Sequence, residues 1–143
     1  EHPYDMTYGQ RKMLCLASVL AMDPAVVVMD EPNAGQDYHG MSLLASIIDQ
    51  LKRMGKTTVI ITHDMELVAG ECERVALMGN GELIAYDSTR HVLSDPSRLS
   101  LSSVRPPQVT RLAISLSHLG VRRDIMTVEE MTEFLVESKR KTA

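Results

Sequence analysis

The chain has 143 residues, 44% of them apolar, with a formal net charge of −4. That length suits one domain with enough apolar side chains for a core, and the mild negative charge with scattered basic residues excludes a nucleic-acid groove or a polybasic membrane patch. Its two cysteines, Cys15 and Cys72, stand far apart and outside any CxxC spacing, which fits a reducing compartment and excludes a disulfide framework or a thiolate zinc site.

The elements follow in chain order. From Thr7 to Met22 the apolar residues Met13, Leu14, Leu16, Ala17, Leu20 and Ala21 recur at helical spacing, and Thr7 with Gln10 three residues on forms a capping-box pattern. Cys15 lies on the apolar face of this helix and reads as a small buried hydrophobe. The short continuous run "AVVVMD" predicts a buried strand. Asp37 is placed to cap a helix through "YHGMSLLASIIDQLKRM", and Gly55 to end it. "TTVIIT" reads as a second buried strand, followed by a short helix from Asp64. "RVALMG", the turn pair Asn80 and Gly81, and "ELIAYD" predict a hairpin. "STRHVLSDP" reads as a short helix ended by Pro96, and "SRLSLSSVRPPQV" as a linker or extended connection. Two helices follow, "VTRLAISLSHL" and "TVEEMTEFLVESKRK", the second opened by a capping box of Thr127 and Glu130. Lys139, Arg140 and Lys141 suit its last turn. The methionines, among them Met13, Met22, Met29, Met54 and Met65, read as core residues, and His2, His39, His91 and His118 have no metal-ligand spacing.

Alternating strands and helices predict an α/β fold with parallel strands covered by helices. In such sheets ligands gather at the carboxyl ends of the strands, where Asp30, Glu31 and His63 all fall. For "DE" alone, one carboxylate capping a turn and the other facing water is an equal explanation. Taken with His63, the set matches phosphoryl transfer to water: an aspartate holds magnesium through water, a glutamate polarises the attacking water, and a histidine attends the transferred phosphate.

At these residues the sequence resembles the ATP-binding subunits of ABC transporters. "VVVMDEP" resembles their Walker B strand, "MTYGQ" their signature motif, "AGQD" their D-loop and "VIITHDM" their switch-histidine segment, all in the family's order. The resemblance implies that Asp30 helps hold magnesium, that Glu31 is the catalytic base and that His63 senses the γ-phosphate. Asp37 would couple two ATPase subunits, and Thr7, Tyr8, Gly9 and Gln10 would meet ATP held by the opposite subunit. A helix N-terminus with amides and a hydroxyl is a ready anion site, which agrees. Tyr8 departs from the pattern, where the family has glycine. "LASVLAMDPAVVVMDEPNAGQD" and "RPPQVTRLAISL" resemble the energy-coupling-factor (ECF) branch, importers of vitamins and of cobalt or nickel ions, which adds a helical C-terminal segment that pairs the two ATPase chains.

The resemblance thus implies the C-terminal part of a P-loop NTPase fold, with residues 1–95 from the ATPase core and 96–143 a helical, dimerising extension. The family's phosphate-cradling motif GxxxxGK[ST] does not occur in this sequence. The chain, opening on Glu1 inside a motif, therefore reads as a fragment or processed piece, with the P-loop strand absent, inactive alone and holding neither ATP nor Mg2+ tightly. The strand edge left beside "TTVIIT" invites self-association. Implied partners are a second ATPase subunit and a membrane-embedded transporter component. No apolar run reaches the roughly 20 residues needed to span a bilayer, and the N-terminus does not read as a signal peptide. The expected location is the cytoplasmic face of the membrane, reached through a partner. A non-catalytic assembly module, or an ABC ATPase of another branch, is the alternative.

Overall fold

The computed structural model describes residues 2–142, with Lys141 and Thr142 described by their backbone only. Glu1, on which the reading of a fragment partly rests, and the Lys141 side chain lie outside the described residues. The chain divides into two compact units, residues 1–63 and 64–143.

In the first unit a short 3-10 turn precedes α1 (Tyr8–Leu20), then β1 (Val26–Asp30), α2 (Tyr38–Arg53) and β2 (Thr57–Ile61). β1 and β2 pair in parallel, Val26 opposite Thr57 through Asp30 opposite Ile61, so both strands end at the same edge. The cap residues act as their chemistry requires. Thr7 accepts from the Gln10 amide while the Gln10 side chain accepts from the Thr7 amide, and Asp37 accepts from the Gly40 amide. After α2 the chain turns at Gly55, whose φ of +70° a side chain would strain. The core of this unit consists of the inward side chains of β1, Val27 and Met29, with Leu44, Ile48 and Leu51 of α2.

Four expectations change here. The two strands are not buried on both faces: β1 alternates exposed and buried, and Val26, Val28, Val59 and Ile61 are all exposed. A continuous apolar run does not say which of its two faces meets a neighbour. The apolar stripe of α1 is likewise open, since Gly9 is its one buried residue and Leu14 and Val19 are exposed. Cys15, on that stripe, is exposed rather than buried. Met22 and Met54 follow the ends of their helices and face outward, whereas Met29 and Met65 are core residues as expected.

The second unit holds α3 (Met65–Glu71), the antiparallel strands β3 (Arg74–Gly79) and β4 (Glu82–Ser88), then α4 (Thr89–Leu93), α5 (Pro96–Leu101), α6 (Gln108–Ser115) and α7 (Val128–Thr142). Asn80 and Gly81 both take positive φ, as the tight hairpin turn requires. Met65, Val68, Leu77, Val92, Leu93, Leu99 and Met126 form one core cluster, and Ala113, Val121, Ile125 and Met131 a second. The packing therefore runs without a break across residues 95 and 96.

The stretch expected to be a linker begins as a helix. Asp95 accepts from the amides of Ser97 and Arg98, and Pro96, which needs no amide acceptor at the first position, starts α5 instead of merely ending α4. The capping box of α7 is half made. The Glu130 amide donates to the Thr127 hydroxyl, but the Glu130 carboxylate turns to the Met126 amide and to Arg90, a stronger, charged partner. Lys139 and Arg140 are exposed near the end of α7, as expected.

Candidate functional site

The parallel register carries the ends of β1 and β2 to one edge. The Glu31 amide donates to the Ile61 carbonyl at 2.8 Å, extending the ladder one residue beyond β1, and the chain then turns through a Glu31 φ of +44°. A non-glycine residue in the left-handed region is uncommon and costs of the order of 1 kcal/mol. The turn places the Glu31 carboxylate against the first residues after β2. Its Oε1 lies 2.6 Å from His63 Nδ1 and accepts from the His63 amide at 3.2 Å, and its Oε2 accepts from the Thr62 hydroxyl at 3.1 Å. The Thr62 hydroxyl is also 3.1 Å from Asn33 Oδ1, so its single proton serves one oxygen at a time.

The electrostatics follow from these contacts. The His63 hydrogen bond holds the Glu31 carboxyl below the ordinary glutamate value, against a smaller opposing effect of burial and with help from the Thr62 hydroxyl and the charge and amide of His63. These contacts favour the charged form of the Glu31 carboxyl. A carboxylate against Nδ1 favours the tautomer protonated there, which leaves Nε2 of the exposed His63 ring directed elsewhere. Asp30, the last residue of β1, is exposed beside Glu31. Among the described residues no group of three or more His, Cys, Asp or Glu converges on one point. Of the oxygen donors that magnesium takes, Asp30 offers one exposed carboxylate.

A second cluster joins the start of α1 to the turn at 34–37. Gly9 is buried, and a Cβ on it would stand 2.6 Å from the Gly35 carbonyl oxygen, so only glycine allows this approach of two backbones. Gln36 Nε2 donates to the Gly9 carbonyl at 3.2 Å. The Tyr8 ring lies over Gly35, and the Lys12 ammonium lies 5.3 Å from the centre of that ring.

The strand, turn and helix arrangement and the sequence have matching relatives. The chain is 36% identical over 137 residues to the energy-coupling factor transporter ATP-binding protein EcfA2 of Lacticaseibacillus paracasei, an alignment covering 94% of this chain and 48% of that protein. It is 38% identical over 135 residues to an ABC transporter ATP-binding protein of Methanosarcina acetivorans, covering 94% of this chain and 22% of the relative. Its fold superposes on a solved ATP-binding cassette of an ABC transporter with a TM-score of 0.62 and 28% identity, over 71% of this chain and 42% of the cassette. Over most of its length the chain matches ABC-transporter ATP-binding proteins, and it shares their fold. It spans about half the length of EcfA2 and less than a quarter of the archaeal relative. No protein-family model matches it.

Within this chain the expected residues fall into two groups. Glu31 and His63 meet at the strand edge, where Asp30 ends β1, while Thr7, Tyr8, Gly9, Gln10 and Asp37 lie at the two helix starts. Thr7, Gln10 and Asp37 use their side chains in capping, so the first-turn amides of Tyr8 and Gly9 are the donors that capping leaves over. Sequence reading passed over Thr62, Asn33, Gln36 and Lys12. Thr62 had a signal, because it precedes His63 where the strand ends. Lys12 had half of one: its spacing of four from Tyr8 puts the two on one helix face, but nothing local tells that its ammonium reaches the Glu31 carbonyl, 19 residues away.

Proposed function

We propose that this chain is a portion of the ATP-hydrolysing subunit of an ECF-type ABC importer, the portion that supplies the base and the signature motif to ATP. The observation that carries this reading is the Glu31 carboxylate held by His63 and Thr62 at a strand edge, with exposed Asp30 next to it in the chain. The 36% identity to EcfA2 supports the branch, and 30% identity to a cassette solved in its ADP conformation, with a TM-score of 0.59 over 67% of this chain and 39% of that one, supports a nucleotide as ligand.

In this reading Glu31 takes the proton of the attacking water, and its contact with His63 keeps the carboxylate turned to the strand edge. His63 presents its outward ring nitrogen toward the γ-phosphate. Asp30 would hold magnesium, which would neutralise phosphate charge. The Tyr8 and Gly9 amides, at the positive end of α1, meet the γ-phosphate of ATP bound by a second ATPase subunit, and Asp37 lies at that subunit boundary. Residues 1–95 form the ATPase part and 96–143 the pairing extension. A membrane-embedded component completes the importer of a vitamin or metal ion, placing the subunit at the cytoplasmic face of the membrane; among the described residues no helix is long and apolar enough to cross one.

The test is ATP hydrolysis by the purified chain, alone and then mixed with a separately produced half of such an ATPase carrying the GxxxxGK[ST] motif. No turnover alone and turnover on mixing is the expected result, with Glu31→Gln abolishing it. Hydrolysis that persists in Glu31→Gln assigns this chain to assembly rather than catalysis, and hydrolysis by the chain alone removes the reading of a complementary half. Self-association through the open strand edge is read in the same preparation by sedimentation.

A further inference from the structure

Glu31 must hold a backbone conformation that its residue type does not favour, and the cause of its persistence lies in its carbonyl group. The positive φ turns this carbonyl out of the strand ladder at the end of β1. Two donors meet it there: the Ala34 amide at 3.1 Å, which closes the turn, and the part-buried ammonium of Lys12. The first is local. The second comes from α1, one turn beyond its capped start.

Lys12 is itself held in place. Thr7 and Gln10 fix the first turn of α1 by their reciprocal caps, and the Lys12 ammonium lies against the Tyr8 ring, which rests on Gly35. A cation over an aromatic face and a charged donor on a carbonyl are both stronger where water is partly excluded. The amide of Glu31 stays on the Ile61 carbonyl at 2.8 Å while its carbonyl is drawn to Lys12, so the backbone on both sides of the Glu31 Cα is tied. With the backbone tied, the Glu31 Cα is set where its carboxylate meets Thr62 and His63.

We propose that Lys12 is a positioning residue for Glu31, its ammonium holding the Glu31 carbonyl in the left-handed turn that aims the carboxylate at His63. The inference rests on the reading of Glu31 as the base, to which it adds the group that orients that base. Lys12 touches no reacting atom. Its work is on the backbone, and it links the start of the signature helix and the turn at 34–37 to the residue that accepts the proton.

The experiment is amide hydrogen exchange on the chain itself, following Glu31, His63 and, as a control at the far end of the strand pair, Thr57, whose amide donates to the Ala25 carbonyl at 3.0 Å. In Lys12→Met, which keeps the aliphatic stem but no donor, exchange at Glu31 and His63 rises about fivefold, the worth of one hydrogen bond, with Thr57 unchanged. Lys12→Arg restores protection at both. Unchanged exchange at Glu31 and His63, an equal rise at Thr57 that marks general loosening, or failure of arginine to restore protection each overturns the proposal. None of these readings involves nucleotide, so they are separate from the test of Glu31 as base, which Glu31→Gln decides by turnover in the mixed ATPase.

Discussion

The two units use their apolar residues differently. In residues 64–143, Val92, Leu93 and Leu99 are fully buried in one cluster with the hairpin and α3, and Ile125 in a second with α6 and α7. In residues 1–63 the side chains between β1 and α2 are as deeply buried, yet the other face of both strands and the stripe of α1 remain open. The candidate chemistry belongs to the second kind of region. Its order at the strand edge comes from polar contacts, Glu31 with His63 and Thr62, Lys12 with the Glu31 carbonyl and Gln36 with the Gly9 carbonyl, rather than from an enclosing core. Hydrophobic burial stabilises without direction, whereas these contacts fix direction and contribute little net stability.

The contrast has measurable consequences. Leu99→Ala removes a fully buried side chain and is expected to lower the unfolding free energy of the chain by about 2–5 kcal/mol, while Val28→Ala on the open face of β1 changes it by less than about 0.5 kcal/mol. Denaturant titration of both variants tests it, and equal losses would erase the distinction between the units.

Gly35→Ala addresses the polar region. The substitution strains a φ of +75° and places a Cβ 2.3 Å from Tyr8 Cδ1, so a loss of about 1–3 kcal/mol is expected. In the Tyr8→Ala background the steric part is relieved and only the backbone part remains. A cost that stays the same in both backgrounds would mean that the Tyr8 ring does not rest on Gly35.

A small effect is also expected of the Arg90 pair in the second unit. Arg90 meets the Glu130 carboxylate with both terminal nitrogens, at 2.6 and 3.2 Å, and also the Asp124 carbonyl. The Arg90 hydrogen bond holds the Glu130 carboxyl below its ordinary value, against burial. For a carboxyl lowered in the folded state, the associated stability is present above the ordinary glutamate value and is lost as pH falls through the lowered one. With Arg90 nearly half exposed, water screens the pair to about 0.5 kcal/mol. Unfolding followed across the acid range should therefore show a shallow decline that Glu130→Gln reduces. The Glu31 carboxyl, also lowered, adds a decline of the same sign that Glu130→Gln leaves in place.

Much of the fold was legible locally. Thr7, Asp37 and Asp64 cap the helices assigned to them, Asn80 and Gly81 turn the hairpin, and Asp30, Glu31 and His63 stand at strand ends that the parallel pairing brings together. Asp95 followed by Pro96 is an equally local helix start, although a proline after a helical stretch also reads as its terminator. These features are decided within three or four residues by backbone hydrogen bonds and steric limits on φ, so the sequence by itself determines them. Which face of β1 is covered, that Cys15 faces outward, that Glu130 leaves its capping box for Arg90, and that Lys12 reaches the Glu31 carbonyl were decided only by the tertiary structure. Each depends on a partner 19 or more residues away or on how the elements cover one another, and periodicity records only that a face is apolar or charged, not what meets it.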